Sequence, residues 1–139
     1  MSRPAVTVPT AVTTPGSEAR LSSYGLTIFT GGRGPARFRA AAELARRAEA
    51  AGFGAVWTGE LYSRSATVPM AMLGAATERI AIGSNIAYGV GRSPLIWAAE
   101  ARDLDELTDG RIVLGLGNGT AGMMAVSYTH LTLPTSDLV

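Results

Sequence analysis

Ser93 to Arg111 reads SPLIWAAEARDLDELTDGR and runs straight into IVLGLGNG at Ile112 to Gly119. The Ser93 hydroxyl can accept a hydrogen bond from a first-turn amide, and Pro94 suits the first helical position, where no N–H is needed. Trp97, Ala101 and Leu104 then recur at three- and four-residue steps, the helix runs through Leu107, and Asp109 with Gly110 supplies the stop. Arg111 to Leu116 (RIVLGL) is short and apolar and ends on Gly117, Asn118 and Gly119, which reads as a strand passing into a loop. A helix returned by a tight turn into a buried strand is the repeating unit of an α/β fold.

The same unit recurs upstream. Leu26 to Thr30 (LTIFT) is a first strand bounded by Gly25 and by the Gly31, Gly32, Arg33, Gly34 loop. Pro35 opens a helix whose apolar face is Phe38, Ala41, Ala42, Ala45 and Ala48, with Gly52 as its stop and Arg39, Glu43 and Arg47 spaced for ion pairs on the solvent side. Gly54 to Thr58 (GAVWT) is a second strand, Val68 to Thr77 an apolar helix with Pro69 in its first turn, and Arg79 to Asn85 (RIAIGSN) a third strand. Strands alternating with helices imply right-handed crossovers and a parallel sheet, and the mostly apolar strands suit a sheet covered on both faces.

Composition narrows the chemistry by what it lacks. The 139 residues are 47% hydrophobic with a net charge of +1, a globular composition with no field suited to a nucleic-acid backbone. No apolar run is long enough to cross a bilayer and Pro4, Pro9 and Pro15 break any secretory core, so a soluble cytoplasmic protein is expected. There is no cysteine, and all 12 basic residues are arginine, which removes thiol nucleophiles, cysteine-ligated metals, a phosphate-loop lysine and a Schiff-base lysine. The only histidine, His130, lies near the carboxyl end, so the rest of the chain offers no imidazole for a triad or a zinc site. No metal site is expected, and a bound organic cofactor would have to supply much of any chemistry.

Four stretches, AAELARRAEAAGFGAVWTGE from Ala41, TERIAIGSNI from Thr77, SPLIWAAEARDLDELTDGR from Ser93 and IVLGLGNG from Ile112, resemble the bacterial luciferase-like monooxygenase superfamily of flavin- or deazaflavin-dependent (β/α)₈ enzymes. The resemblance covers about residues 24–124 and implies an α/β fold that is the amino-terminal half, four β/α units, of a TIM barrel. It implies an oxidoreductase or monooxygenase using reduced FMN or coenzyme F420 on a small organic substrate, with no nucleic-acid or membrane partner and further copies of itself as the partners of the whole protein. Barrel enzymes place their site at the carboxyl ends of the strands. Here that face is reached by 30–34, 58–63, 84–88 and 117–120.

Carried over residue by residue, the resemblance implies cofactor contacts at Thr58, Ser84, Asn85, Ile86, Gly117, Asn118 and Gly119. The family's non-proline cis peptide, which backs the tricyclic ring, maps onto Asn85 to Ile86. Glu60 stands where some deazaflavin-dependent relatives carry a catalytic histidine. It is the candidate catalytic acid or base, and a structural ion pair with Arg64 or Arg92 is the competing reading. Thr120 replaces an acidic residue of relatives, so substrate specificity does not carry over. Gly117, Gly119 and Gly122 also match G-x-G-x-x-G, which keeps open a fragment of an NAD(P)-binding Rossmann dehydrogenase. A non-catalytic flavin-binding relative is a third reading. Trp57 and Trp97 are read as core.

The two ends read differently from the middle. Residues 1–23 are rich in Thr, Pro, Ser and Ala without periodicity, and a disordered leader is expected. Val126 to Thr135 (VSYTHLTLPT) matches codon by codon the in-frame translation of a common transposase-adapter DNA, so residues 126–139 are expected to be an artefactual tail on a fragment whose domain is 24–125. The alternative is an edge strand with Thr129, Leu131 and Leu133 on one face and Pro134 at its end. An open half-barrel would expose strand edges and an apolar interior, and self-association is expected of it.

Overall fold

The computed structural model describes residues 24–30, 32–61 and 63–122. The expected leader and tail, with His130, fall outside them. The elements are β1 (Gly25–Thr27), α1 (Ala36–Ala50), β2 (Ala55–Thr58), α2 (Thr67–Ala75), β3 (Ala81–Ser84), β4 (Ala87–Tyr88), α3 (Pro94–Thr108), β5 (Ile112–Val113) and β6 (Leu116–Gly117).

The main sheet has the order β1-β2-β3-β5, every pair parallel. Strands following one another in chain order, each joined through a helix, is the arrangement of a barrel wall. In a Rossmann sheet, of order 3-2-1-4-5-6, the fourth strand returns to the far side of the first, whereas here β5 pairs with β3, so this order argues against the dinucleotide reading of the glycines at 117–122. Among the described residues, four successive parallel strands and the three helices that join them are present, as in a barrel wall.

Register separates two faces. Leu26, Val56, Ile82 and Ile112 form one row across the sheet, and Val56 and Ile82 are fully buried against Ala41, Ala45 and Ala48 of α1 and Met70 and Leu73 of α2. Alanines on α1 let that helix lie close to the sheet, as the spacing predicts. The alternate row is Thr27, Trp57, Gly83 and Val113, on the barrel-interior face. The Trp57 indole lies across this face, over the space that a Cβ at Gly25 or Gly83 would fill. Trp97 joins the helix-side core, whereas Trp57 is only half-buried and covers the other side of the sheet.

Ser93 Oγ accepts from the Ile96 amide at 3.3 Å and Pro94 opens α3, which closes on Asp109 and Gly110 at φ 52° and 75°. Its buried residues are Trp97, Leu104 and Thr108, with Ala101 half-buried; Thr108 is tolerated because its hydroxyl donates to Leu104 O at 2.7 Å. On α1 the ion pair is Arg46 to Glu43 at 3.0 Å, one turn apart, rather than with Arg39 or Arg47, and both partners are more than half exposed. Such a pair contributes little stability.

The expected third strand, 79–85, is shorter and resumes as β4, and the fourth, 111–116, is split into β5 and β6. The cause is a side chain in the ladder. Ser84 Oγ accepts from Gly115 N and donates to Gly115 O, both at 2.9 Å, taking the place of a backbone pair. Pairing resumes in a two-stranded ladder of β4 and β6.

Candidate functional site

The carboxyl ends of β2, β3 and β6 converge on Asn85 and Ile86. The Asn85 amide donates to Thr58 O at 2.7 Å and Glu60 N donates to Ile86 O at 2.9 Å, so the segment is held from both sides by the end of β2. The peptide between Asn85 and Ile86 is cis, at the position the resemblance implied. A Cβ at Gly59 would touch Asn85 O at 3.4 Å and Phe29 Cε1 at 3.6 Å, and one at Gly117 would run into Ile86 Cδ1. Both glycines permit close approach.

Of the seven candidate contact residues, Thr58, Ser84, Asn85, Ile86 and Gly117 are brought together. Asn118 and Gly119 continue as exposed loop. Thr58 and Ser84 are each 2% exposed and share the helix-facing side with Val56 and Ile82, and the Ser84 hydroxyl is engaged by Gly115. Their side chains belong to the sheet's packing. The exposed surface beside these strand ends is Asn85, the Asn85–Ile86 backbone and Phe29, which is 68% exposed beyond the interior-facing Thr27. Phe29 was the missed residue, and the alternation in LTIFT, with Thr27 and Phe29 on one face, was its signal.

Of the two readings of Glu60, the geometry realises the ion pair, with Arg92. The carboxylate is 9% exposed and accepts from Arg92 Nη2 at 2.8 Å and Nη1 at 3.2 Å, and from the Tyr88 amide at 2.7 Å. Arg64 instead donates to Gly32 O at 2.7 Å. Arg92 also stacks on Trp97 at 4.5 Å and approaches Glu100 Oε1 at 3.6 Å, which ties the segment after β2 to the start of α3. A planar fork meeting a carboxylate through two nitrogens fixes orientation as well as charge. Among the described residues no three acidic, histidine or cysteine side chains group as a metal site, and no helix is long and apolar enough to cross a membrane.

The luciferase-like monooxygenase family model matches residues 12–130. The chain belongs to the luciferase-like monooxygenase family. A relative from Mycobacterium tuberculosis named "Putative coenzyme F420-dependent oxidoreductase Rv3520c" is 41% identical over 76 residues, 55% of this chain and 22% of that protein. Among solved structures, the monooxygenase RslO1 from Streptomyces bottropensis aligns with a TM-score of 0.66 at 26% identity, over 75% of this chain and 35% of that one. The coenzyme F420-dependent tetrahydromethanopterin reductase from Methanopyrus kandleri aligns with a TM-score of 0.63 at 25% identity, over 81% and 30%. This luciferase-like chain thus spans between a fifth and about a third of the lengths of these relatives.

Proposed function

We propose that this chain forms the first half of the active site of a cytoplasmic luciferase-like oxidoreductase that uses coenzyme F420 or reduced FMN on a small organic substrate. The observation that carries this reading is the Asn85–Ile86 segment, pinned by Thr58 O and Glu60 N at the carboxyl ends of the strands and facing the barrel interior beside the exposed Phe29. A flat tricyclic ring fits there. Glycines at 59 and 117 keep side chains from lifting the segment, and Phe29 gives an apolar surface to stack on.

A reduced flavin or deazaflavin, once bound, supplies hydride transfer, and FMN can also engage oxygen. The chain's own part is to bind and orient. The backbone at Asn85 and Ile86 would support the ring from one side, and Gly117, Asn118 and Gly119 would border it, with Trp57 covering the neighbouring interior face of the sheet. The names of the M. tuberculosis and M. kandleri relatives support F420, and that of RslO1 supports a monooxygenase. Glu60, held by Arg92 and Tyr88 N, acts as a positioning residue for the neighbouring segment.

The test is titration of FMN and of F420 into a product of the same gene long enough to close the barrel, followed by cofactor fluorescence. Saturable binding of one ring system, weakened by Gly117→Val, is expected. A folded protein that binds neither sinks the proposal. Glu60→Gln should leave the shape of the pH–rate profile unchanged while raising KM. A profile that loses one limb would make Glu60 the acid or base instead.

A further inference from the structure

Beside the strand-end site, a hollow of about 450 Å³ opens between the β1–α1 and β2–α2 segments, lined by Arg33, Gly34, Arg37, Phe38, Ser63 and Arg64. Three arginines line it, and among the described residues none has a carboxylate partner within 4.0 Å. Two are anchored by backbone carbonyls: Arg37 Nη1 donates to Thr30 O at 2.7 Å and Arg64 Nη2 to Gly32 O at 2.7 Å. Arg37 also stacks on Phe38 at 4.1 Å. Anchoring holds both cations in place and leaves Arg37 with donors to spare, since guanidinium carries five.

The same place breaks a helix rule. Helix N-termini carry a partial positive charge and favour acidic residues in the first turn. Helix α1 has no acidic residue there and no side-chain cap, and its opening residues Ala36 to Arg39 include Arg37 and Arg39. Arg64 is added from a separate segment, 32 residues from its Gly32 partner. Like charges gathered on an already positive helix end oppose folding unless something negative joins them, and local rules are broken mostly at functional sites. Gly32 and Gly34 bring no side chain, and a Cβ at either would meet nothing within 4 Å, so the space is open.

The geometry points to an oxyanion-binding site at Arg33, Arg37 and Arg64, taking a phosphate or carboxylate group at the mouth of the barrel. Guanidinium forks match both groups. The site lies at the same end of the sheet as Asn85, so its ligand is the anionic end of a molecule whose remainder reaches the strand ends. It does not depend on which ring system binds there.

Isothermal titration of the 139-residue chain with pyrophosphate and with succinate at low ionic strength tests this. Saturable binding of at least one probe is expected, weakened about tenfold or more by Arg33→Gln or Arg37→Gln, as for loss of one charge-assisted bond, and weakened by added salt. Among the described residues Arg33 has no side-chain partner that its variant could disrupt, so that variant tests binding even if Arg37→Gln unfolds. Arg79→Gln, an exposed arginine at the other end of the sheet, should bind as the parent does. A folded parent that binds neither probe, or an equal loss in Arg79→Gln, overturns the site. A preference for pyrophosphate assigns phosphate, and one for succinate assigns carboxylate. In the product long enough to close the barrel, pyrophosphate that displaces FMN but not riboflavin assigns the anion to the cofactor's own phosphate, and pyrophosphate that binds without displacing FMN assigns it to the substrate.

Discussion

Arg111 should be the costliest single side chain to remove outside the apolar core. Its Nε donates to Thr108 O at 2.7 Å, Nη1 to Ile80 O at 2.9 Å and Thr77 Oγ1 at 3.1 Å, and Nη2 to Thr77 O at 2.9 Å and Gly74 O at 3.0 Å. All five donors are used, and they join the ends of α2 and α3 to the start of β3. Among the described residues no carboxylate lies within ion-pair distance. Burial draws the guanidinium pKa below its usual value, and the more distant charges of Glu49, Asp109 and Glu78 work against that. The cation is balanced chiefly by carbonyls at two helix C-termini. Arg111→Met keeps the stem and removes all five bonds: Thr77 Oγ1 still donates to Leu73 O and Gly74 O still accepts from Thr77 N, but the Thr77, Ile80 and Thr108 carbonyls lose this donor. At about 0.5–1.5 kcal/mol per bond, more for charged donors, and with water reaching part of this half-buried position, the loss should be about 3–5 kcal/mol. That is a large share of the roughly 5–15 kcal/mol that holds a domain together. Arg111→Lys keeps the charge but not the fork, and should lose about 2 kcal/mol. Urea unfolding followed by far-ultraviolet circular dichroism reads both. If Arg111→Met unfolds outright, the lysine variant decides; two variants within about 0.5 kcal/mol of the parent would refute the reasoning.

Two further outcomes rest on single residues. Glu49 Oε1 accepts from the amides of Glu78, Arg79 and Ile80 at 3.0, 2.6 and 2.9 Å; burial works to raise its pKa, but the three amides outweigh it and hold the carboxyl below its usual value. The folded state then binds fewer protons than the unfolded one, so this stabilisation is complete above the ordinary carboxylate pKa and is lost as pH falls through the lower folded value. Unfolding midpoints taken from pH 6 down to pH 2 should show a decline that Glu49→Gln flattens, and an identical decline in both proteins would contradict it. Gly83→Val should cost about 1–3 kcal/mol because its side chain would occupy the place of the Trp57 indole, read as a lower melting temperature with a red-shifted tryptophan emission.

Much of the fold was legible because its signals are local. Ser93 and Pro94 at one end of α3 and Asp109 and Gly110 at the other bracket that helix within about a residue, since capping depends on neighbours three or four positions away. The buried alanines of α1 came from the same short-range periodicity. The strand breaks did not. Nothing in RIAIGSN or RIVLGL says that Ser84 will exchange hydrogen bonds with Gly115, 31 residues away, and so split both strands.

The candidate site divides along the same line. The strand ends were legible because a parallel α/β chain must deliver every strand's carboxyl end to one face, and the Asn85–Ile86 position was implied by the family resemblance. The partner of Glu60 was left open between Arg64 and Arg92, both near enough along the chain, and only packing sent one to Gly32 and the other to the carboxylate. Ser84 and Thr58 looked like ligand contacts from their place at strand ends, and register turned them toward the helices.

By itself, then, the sequence determined the order of strands and helices and the lack of thiol and lysine side chains, because composition and short-range periodicity need no partner to act, and the resemblance of its motifs gave the family. Tertiary structure decided the interior-facing row with Trp57 across two glycines, the Glu60–Arg92 pair, and the meeting of Arg33, Arg37 and Arg64 at one hollow. Each of these depends on segments about thirty residues apart being placed within a few ångströms by the crossover helices, and side-chain charge and shape act only over that distance.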